Sequence, residues 1–223
     1  MRFFFLTLLL TFCGTVSLVP TSTLAQELEL EEPVLPDTEQ PDPEAIQPKM
    51  DDVPLASEDQ RSDSEKRLGE LFASLKKTRN NRAAKRIADE IWGEWFRSGS
   101  ASIDLMMKWS NDAVAKKQFN VALDFLDQIV TLRPEYAEGW NRRATLHYNM
   151  SNFNKSMVDI QKVLALEPRH FGALSGMAAI LERNGKKQAA LNAWRRALDI
   201  YPAMQSGQAA IIRLADELEG DPA

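Results

Sequence analysis

An all-α fold of stacked helix hairpins is predicted by a regular spacing in the second half of the chain. Pro134, Pro168 and Pro202 stand 34 residues apart on both sides. Within each 34-residue unit, small side chains recur at two fixed places and large apolar ones at two others. Because small residues let two helices approach closely while large ones fill the space around the contact, this pattern is typical of a helical solenoid.

The proline spacing divides the periodic region into three units. With each proline at position 32, the units cover residues 103–136, 137–170 and 171–204. Each proline is expected to start the next hairpin and to stop the preceding helix from running on. The packing positions are Ser110, Ala144 and Ala178 at position 8, Ala122, Ser156 and Ala190 at position 20, and Leu126, Ile160 and Trp194 at position 24.

The second unit, AEGWNRRATLHYNMSNFNKSMVDIQKVLALEP, resembles the consensus of the tetratricopeptide-repeat (TPR) family. The resemblance covers three full units and their flanks, roughly residues 64–219. It implies a TPR solenoid that binds proteins. Three residues depart from the family pattern and are expected to alter local packing: Arg143 at the usually apolar position 7, and Ala113 and His147 at the usually aromatic position 11.

The segments on either side of the three units are expected to extend the stack. Ser62 and Glu65 have the spacing of a capping box, and Trp92 and Trp95 fall in the repeat frame. Residues 64–102 are therefore predicted to form a degenerate first helix hairpin. Residues 205–223 are predicted to supply a C-terminal capping helix, which solenoids require at an exposed end.

No residue pattern in the chain indicates a catalytic, cofactor-binding or metal-binding site. The two histidines, His147 and His170, have no metal-ligand spacing with a cysteine or with each other, and His147 occupies a packing position. A Gly-rich phosphate loop and a nucleophile motif are also absent from the sequence. The five tryptophans all fall on packing positions and are interpreted as core residues: Trp92, Trp95, Trp109, Trp140 and Trp194.

The N-terminus has the pattern of a signal peptide. Arg2 precedes an apolar run over residues 3–19, and small residues at Thr23 and Ala25 predict cleavage after Ala25. The protein is therefore expected to be periplasmic or secreted, with no transmembrane segment in its mature form. Removal of residues 1–25 also removes Cys13, the only cysteine.

Residues 26–63 are predicted to form a disordered acidic tail. They contain thirteen acidic and two basic residues, six prolines and no aromatic residue. A basic patch follows, and it is interpreted either as a solvated helix face or as a contact for anionic lipid, glycan or the tail itself. Nucleic acid is not an expected partner of an exported protein. The patch consists of Lys76, Lys77, Arg79, Arg82, Lys85 and Arg86.

The TPR resemblance implies a concave groove that binds a protein or peptide partner. Asn141, Thr145 and Tyr148 are expected to hydrogen-bond a peptide backbone, beside a shallow hollow for a bulky side chain at Gly172, Ser175 and Ala179. A wet helical face without a ligand is the alternative. The lysines with which some TPR proteins grip two carboxylates are missing. The groove residues are Asn111, Asn141, Arg142, Thr145, Tyr148, Asn149, Ser175 and Arg183.

Together these features predict an exported, non-enzymatic adaptor that binds a protein partner and acts in cell-envelope assembly or maintenance. Two alternatives remain open. One is a self-associating structural protein of the periplasm in which the stack ends pair between copies. The other is an accessory factor in cytochrome or outer-membrane protein maturation.

Overall fold

The computed structural model describes residues 58–220, with side chains from Ser62 onward. The predicted signal peptide and nearly all of the predicted acidic tail lie outside the described residues. The described part of the chain is all-α and confirms the predicted TPR solenoid. Its nine helices are α1 Glu58–Lys77, α2 Asn81–Trp95, α3 Ala101–Ala115, α4 Phe119–Leu132, α5 Ala137–Asn149, α6 Phe153–Leu166, α7 Phe171–Arg183, α8 Lys187–Ile200 and α9 Gln205–Glu219.

Three consecutive hairpins, α3 with α4, α5 with α6 and α7 with α8, form repeats 1, 2 and 3. The two helices of each hairpin approach at the predicted small residues. In repeat 2, both Ala144 and Ser156 are buried. The Ser156 hydroxyl donates a hydrogen bond to the Ala144 carbonyl at 2.8 Å. In repeat 1, Ser110 donates in the same way to the Ala122 carbonyl at 3.4 Å. A larger side chain at either position would separate the two helices.

The periodic prolines lie in tight turns between repeats. Pro134 is the second residue of a turn in which the Tyr136 amide donates to the Arg133 carbonyl at 3.0 Å, and the turns at Pro168 and Pro202 repeat this bond. Proline suits this place because its fixed φ matches the second residue of such a turn. The prolines therefore end the preceding helix as predicted, but the next helix begins three residues later rather than at the proline.

The N-terminal hairpin, α1 with α2, does not stack in front of repeat 1 as a degenerate first repeat. Its buried side chains, Trp95 among them, share one core cluster with α7, α8 and α9, whereas Ile103 and Met107 of α3 belong to a different cluster. Trp95 stacks on His170 with ring centroids 4.1 Å apart, and Trp92 meets Phe171 edge to face. The hairpin thus packs across the turns between repeats.

The start of the N-terminal hairpin also differs from the prediction. Helix α1 begins at Glu58, inside the segment assigned to the acidic tail, so Ser62 lies within the helix and not at its N-cap. The capping-box spacing of Ser62 and Glu65 was misleading because the same spacing occurs by chance on a helix surface.

Among residues 58–220, no helix combines the length and the apolarity needed to cross a bilayer.

Trp109 is the exception to the prediction that the tryptophans are core residues. Its side chain is 45% exposed, whereas Trp95 and Trp194 are buried and Trp92 and Trp140 are half-buried. In repeat 2 the side chain at position 7, Arg143, reaches Asp127 of the preceding repeat, whereas within residues 58–220 no hairpin lies in front of repeat 1. The repeat frame predicted which face of α3 carries Trp109, but it could not predict that no described helix would cover that face.

The departures from the family pattern are accommodated by specific contacts. Arg143 forms two hydrogen bonds to the buried Asp159 carboxylate, at 2.9 and 2.7 Å, and a third to Asp127 of repeat 1 at 2.8 Å. The Asp159 hydrogen bonds are the main reason that the pKa of Arg143 is raised. His147 is buried beside this ion pair, as expected of a packing residue, and burial lowers its pKa.

Candidate functional site

The predicted groove contains a pocket of about 280 Å³ between α5, α6 and α7. Ile160 lies on its wall, and polar side chains of α5 and α7 border it. Most of the lining side chains are small, so the helices can pack closely and still leave room for one large apolar side chain. The lining residues are Asn141, Ala144, Thr145, Tyr148, Ser156, Ile160, Gly172, Ala173, Ser175, Gly176 and Ala179.

Four of the eight predicted groove residues line this pocket. The hydroxyls of Thr145 and Ser175 donate to the Asn141 and Phe171 carbonyls of their own helices, at 2.9 and 2.8 Å. A hydroxyl oxygen whose hydrogen is used in this way retains lone pairs that can accept. Asn141 donates its amide to Glu138, and Tyr148 packs edge to face on Phe153. The structure therefore brings Asn141, Thr145, Tyr148 and Ser175 together.

The other four predicted groove residues do not line the pocket. Arg142 is engaged with Glu138 at 2.7 Å and lies over the Phe96 ring of the N-terminal hairpin. Arg183 is exposed and lies over Phe153. Asn111 on α3 and Asn149 at the end of α5 are exposed to solvent. Arginine is common where carboxylates are bound, but Arg142 already has an internal partner.

A buried polar cluster anchors the N-terminal hairpin beside the groove. The Glu138 carboxylate accepts from Asn141 at 3.0 Å and from Arg142 at 2.7 Å, and it lies 3.3 Å from His170 Nε2. His170 Nδ1 accepts from the Ala173 amide and so caps helix α7, which places the ring hydrogen on Nε2, directed at Glu138. With both ring nitrogens occupied, this buried histidine is a structural group and not a general base.

Sequence reasoning did not identify the role of Glu138 and His170. Glu138 lies one helical turn before the predicted groove residue Arg142 on α5, but it is buried. One signal was available at Gly172, where an added Cβ would lie 2.7 Å from the Trp92 ring. Gly172 also lines the pocket.

A second, larger cleft of about 730 Å³ lies between the N-terminal hairpin and the turn that joins α4 to α5. Its charges are largely paired internally. Arg67 and Arg97 both contact the buried Glu94 carboxylate, at 3.0 and 3.1 Å. The buried Tyr136 phenol donates to the Phe96 carbonyl, and burial raises its pKa well above the ordinary value. The Tyr136 hydrogen bond joins the end of α2 to the turn between repeats 1 and 2.

All six residues of the basic patch are exposed around the turn between α1 and α2. Lys85 pairs with Asp89, which raises the pKa of the lysine. Among the residues whose side chains are described, 62–220, no acidic group lies within ion-pair distance of the other five.

In the same part of the chain, no group of three or more His, Cys, Asp or Glu residues is arranged to hold a metal ion.

The stacked hairpins, with a groove that contains a pocket between α5, α6 and α7, define a helical-repeat scaffold for protein–protein interaction. No family model matches the chain. A TPR repeat-containing protein of Rhizobium etli is 52% identical over 160 residues, which cover 72% of this chain and 78% of that protein. The chain belongs to the TPR repeat-containing family. The small glutamine-rich tetratricopeptide repeat-containing protein 2 of Saccharomyces cerevisiae is 26% identical over 97 residues, 44% of this chain and 28% of that protein.

Solved structures of TPR domains share the fold. The first TPR of Spaghetti (RPAP3), bound to the HSP90 peptide SRMEEVD, has a TM-score of 0.51 and 16% identity and covers 53% of this chain and 94% of that chain. The Sgt2 TPR domain of Aspergillus fumigatus has a TM-score of 0.50 and 16% identity and covers 56% of this chain and 87% of that chain. At this identity the similarity establishes the fold alone.

Proposed function

We propose that this chain is an exported, non-enzymatic adaptor that holds a segment of a partner protein in its groove. The observation that carries the proposal is the pocket of about 280 Å³ between α5 and α7. An apolar hollow with a few oriented polar groups is the usual form of a site that binds one anchoring side chain. The partner is expected to insert a bulky apolar residue there.

The polar rim is suited to the backbone of an extended segment. The oxygens of Thr145 and Ser175 have lone pairs available because their hydrogens are bound to helix carbonyls. They would accept amide hydrogens of the partner, while the pocket holds its side chain. A grip on two carboxylates is not part of the proposal, because Arg142 is committed to Glu138 and Phe96.

Filling the pocket is expected to weaken binding without weakening the fold. Gly176 is the best position, because a Cβ added there would lie 3.4 Å from Ile160, an ordinary contact, and would point more side chain into the pocket. Gly176→Leu also improves helix propensity by up to about 1 kcal/mol. We expect peptides selected on the wild-type protein to bind this variant at least about tenfold more weakly, as measured by fluorescence polarisation.

Gly93→Leu is the matched control, since no atom lies within 4 Å of a Cβ added at Gly93 of α2. It should leave peptide affinity unchanged.

Selection from a random peptide library should enrich one bulky apolar residue. The peptide SRMEEVD should bind poorly. Equal affinity of the Gly176→Leu and Gly93→Leu proteins would rule out the pocket as the binding site.

The proposed place of action is the cell envelope, where the adaptor would serve assembly or maintenance. This part rests on the sequence of residues 1–25 and on the exposed basic patch, which would contact an anionic envelope surface. Fractionation of host cells with mass spectrometry should recover a protein that begins at Gln26. Any membrane-associated fraction should be released as salt shortens the screening length from about 10 Å at 0.1 M to about 3 Å at 1 M. A form that retains residues 1–25 would contradict cleavage after Ala25.

A further inference from the structure

Repeat 1 presents an apolar surface on the side away from repeat 2, which we term the end face. On α3 it consists of Leu105 and Trp109, one turn apart, and on α4 it includes Val121 and Phe125. Leu105, Trp109 and Val121 are each 44–45% exposed, and the Trp109 and Phe125 rings lie 5.6 Å apart. Contiguous exposed apolar groups of this kind mark a contact surface more often than a solvated one.

The same face is covered by a helix in each later repeat. Gly139 of α5, which corresponds to Leu105, lies so close to Ile129 of α4 that an added Cβ would be 2.8 Å from its side chain. Gly207 of α9 has the same relation to Leu198 of α8. In repeat 3 the corresponding residue, Ala173 of α7, is buried in one cluster with Ile160 and Val163 of α6, so the equivalent surface is packed against a preceding helix in both later repeats and in the capping helix. In this architecture the corresponding face of a repeat is normally an interface with a neighbouring helix.

Within the described part of the chain, no helix covers the end face. The hairpin that precedes repeat 1 in sequence packs instead on His170 and Phe171, with Trp92 and Trp95 as its anchors. This docking is secured by buried residues on both sides, so the hairpin is not available to cover the end face.

We propose that a second copy of this chain covers the end face, so that two molecules pair about a two-fold axis. A hollow of about 400 Å³ lies beside Trp109, lined also by Phe125 and Val121, and it can receive an aromatic side chain from an identical surface. Asp112 and Lys116 line the same hollow with opposite charges. A two-fold contact brings the same patch of both molecules together, so a patch with one charge of each sign is compatible with itself.

This pairing is independent of the proposed groove, because the end face and the pocket between α5 and α7 share no residue. Two molecules joined in this way would present two grooves to one partner or to two. The end face would also be removed from contact with unrelated apolar surfaces.

Sedimentation velocity of the full chain, as recovered from host cells, tests the proposal over a range from low to high micromolar concentration. We expect a reversible monomer–dimer equilibrium. Trp109→Lys should weaken dimerisation at least about tenfold, because aromatic residues at the centre of an interface carry much of the binding energy. The helical circular dichroism signal should be unchanged, since Trp109 contributes little to the core of the monomer.

Val158→Lys and Ile212→Lys are the matched controls, because both side chains are apolar and 64% exposed but lie on α6 and α9. They should leave dimerisation unchanged. A protein that is monomeric at every concentration would overturn the proposal. A dimer that persists in the Trp109→Lys protein would also overturn it. If the protein is monomeric and Trp109 is nevertheless shielded from quenching by acrylamide, a segment of the same chain covers the end face.

Discussion

Replacing Trp95 with alanine is expected to lower the free energy of unfolding by about 3–5 kcal/mol, the usual cost of truncating a buried aromatic side chain. Trp95 is 8% exposed and stacks on His170, and it also contacts Phe72 and Phe171. Its partners lie on both sides of the junction between the N-terminal hairpin and repeat 3, so docking of the hairpin should weaken most. Urea denaturation followed by circular dichroism measures the change.

Val158→Ala is the control for Trp95, because Val158 is 64% exposed and its truncation should change stability by no more than about 0.5 kcal/mol. Limited proteolysis distinguishes undocking from general destabilisation. Cleavage near Gly99, between α2 and α3, should be faster in the Trp95→Ala protein than in a variant equally destabilised within repeat 2. If the two variants are cleaved at the same rate, the hairpin is not held in place by Trp95.

Truncation of Arg143 to alanine is also expected to cost about 3–5 kcal/mol, because it leaves the Asp159 carboxylate buried without its partner. The Asp159 side chain is 3% exposed and accepts two hydrogen bonds from the Arg143 guanidinium. Unfolding in urea at neutral pH would measure the loss. Raising the salt concentration should change the stability of the wild-type protein little, since buried pairs are poorly screened.

Asp127 provides an internal comparison for the same arginine. It contacts Arg143 at 2.8 Å, but its side chain is 61% exposed, so Asp127→Ala should cost only about 0–1 kcal/mol. The double variant Arg143→Met, Asp159→Leu should recover much of the stability lost in Arg143→Ala, because it removes the buried charge as well. An equal loss for Asp127→Ala and Arg143→Ala would show that burial of Asp159 is not the cause.

The hairpins of the three repeats were predictable because each depends on residues close together in sequence. Ser156 and Ala144 are small because two helices of one hairpin touch there, and Pro168 ends a helix through its own geometry. The groove residues followed from the same frame, and four of them do border the pocket. Interactions within one hairpin and the adjoining turn were sufficient for these predictions.

The position of the N-terminal hairpin could not be predicted from spacing. Trp92 and Trp95 satisfy the repeat frame, but the same spacing also places both rings on one helix face that packs on His170 and Phe171. A pattern within a helix determines which side is apolar and not which distant surface it meets. The buried position of Glu138 and the exposure of Trp109 both follow from that unpredicted docking.

The docking of the first hairpin onto the last repeat has a consequence for how the chain unfolds. In an open array each unit touches only its neighbours, so the ends can melt separately from the middle. Here Trp95 joins the beginning of the described chain to repeat 3, and neither terminal unit can detach without breaking that contact. Unfolding should therefore be a single cooperative transition, and folding should be slowed by the wait for this long-range closure. During synthesis the hairpin emerges before α7 and α8 exist, so Trp92 and Trp95 lack their docking surface until the last repeat has been made.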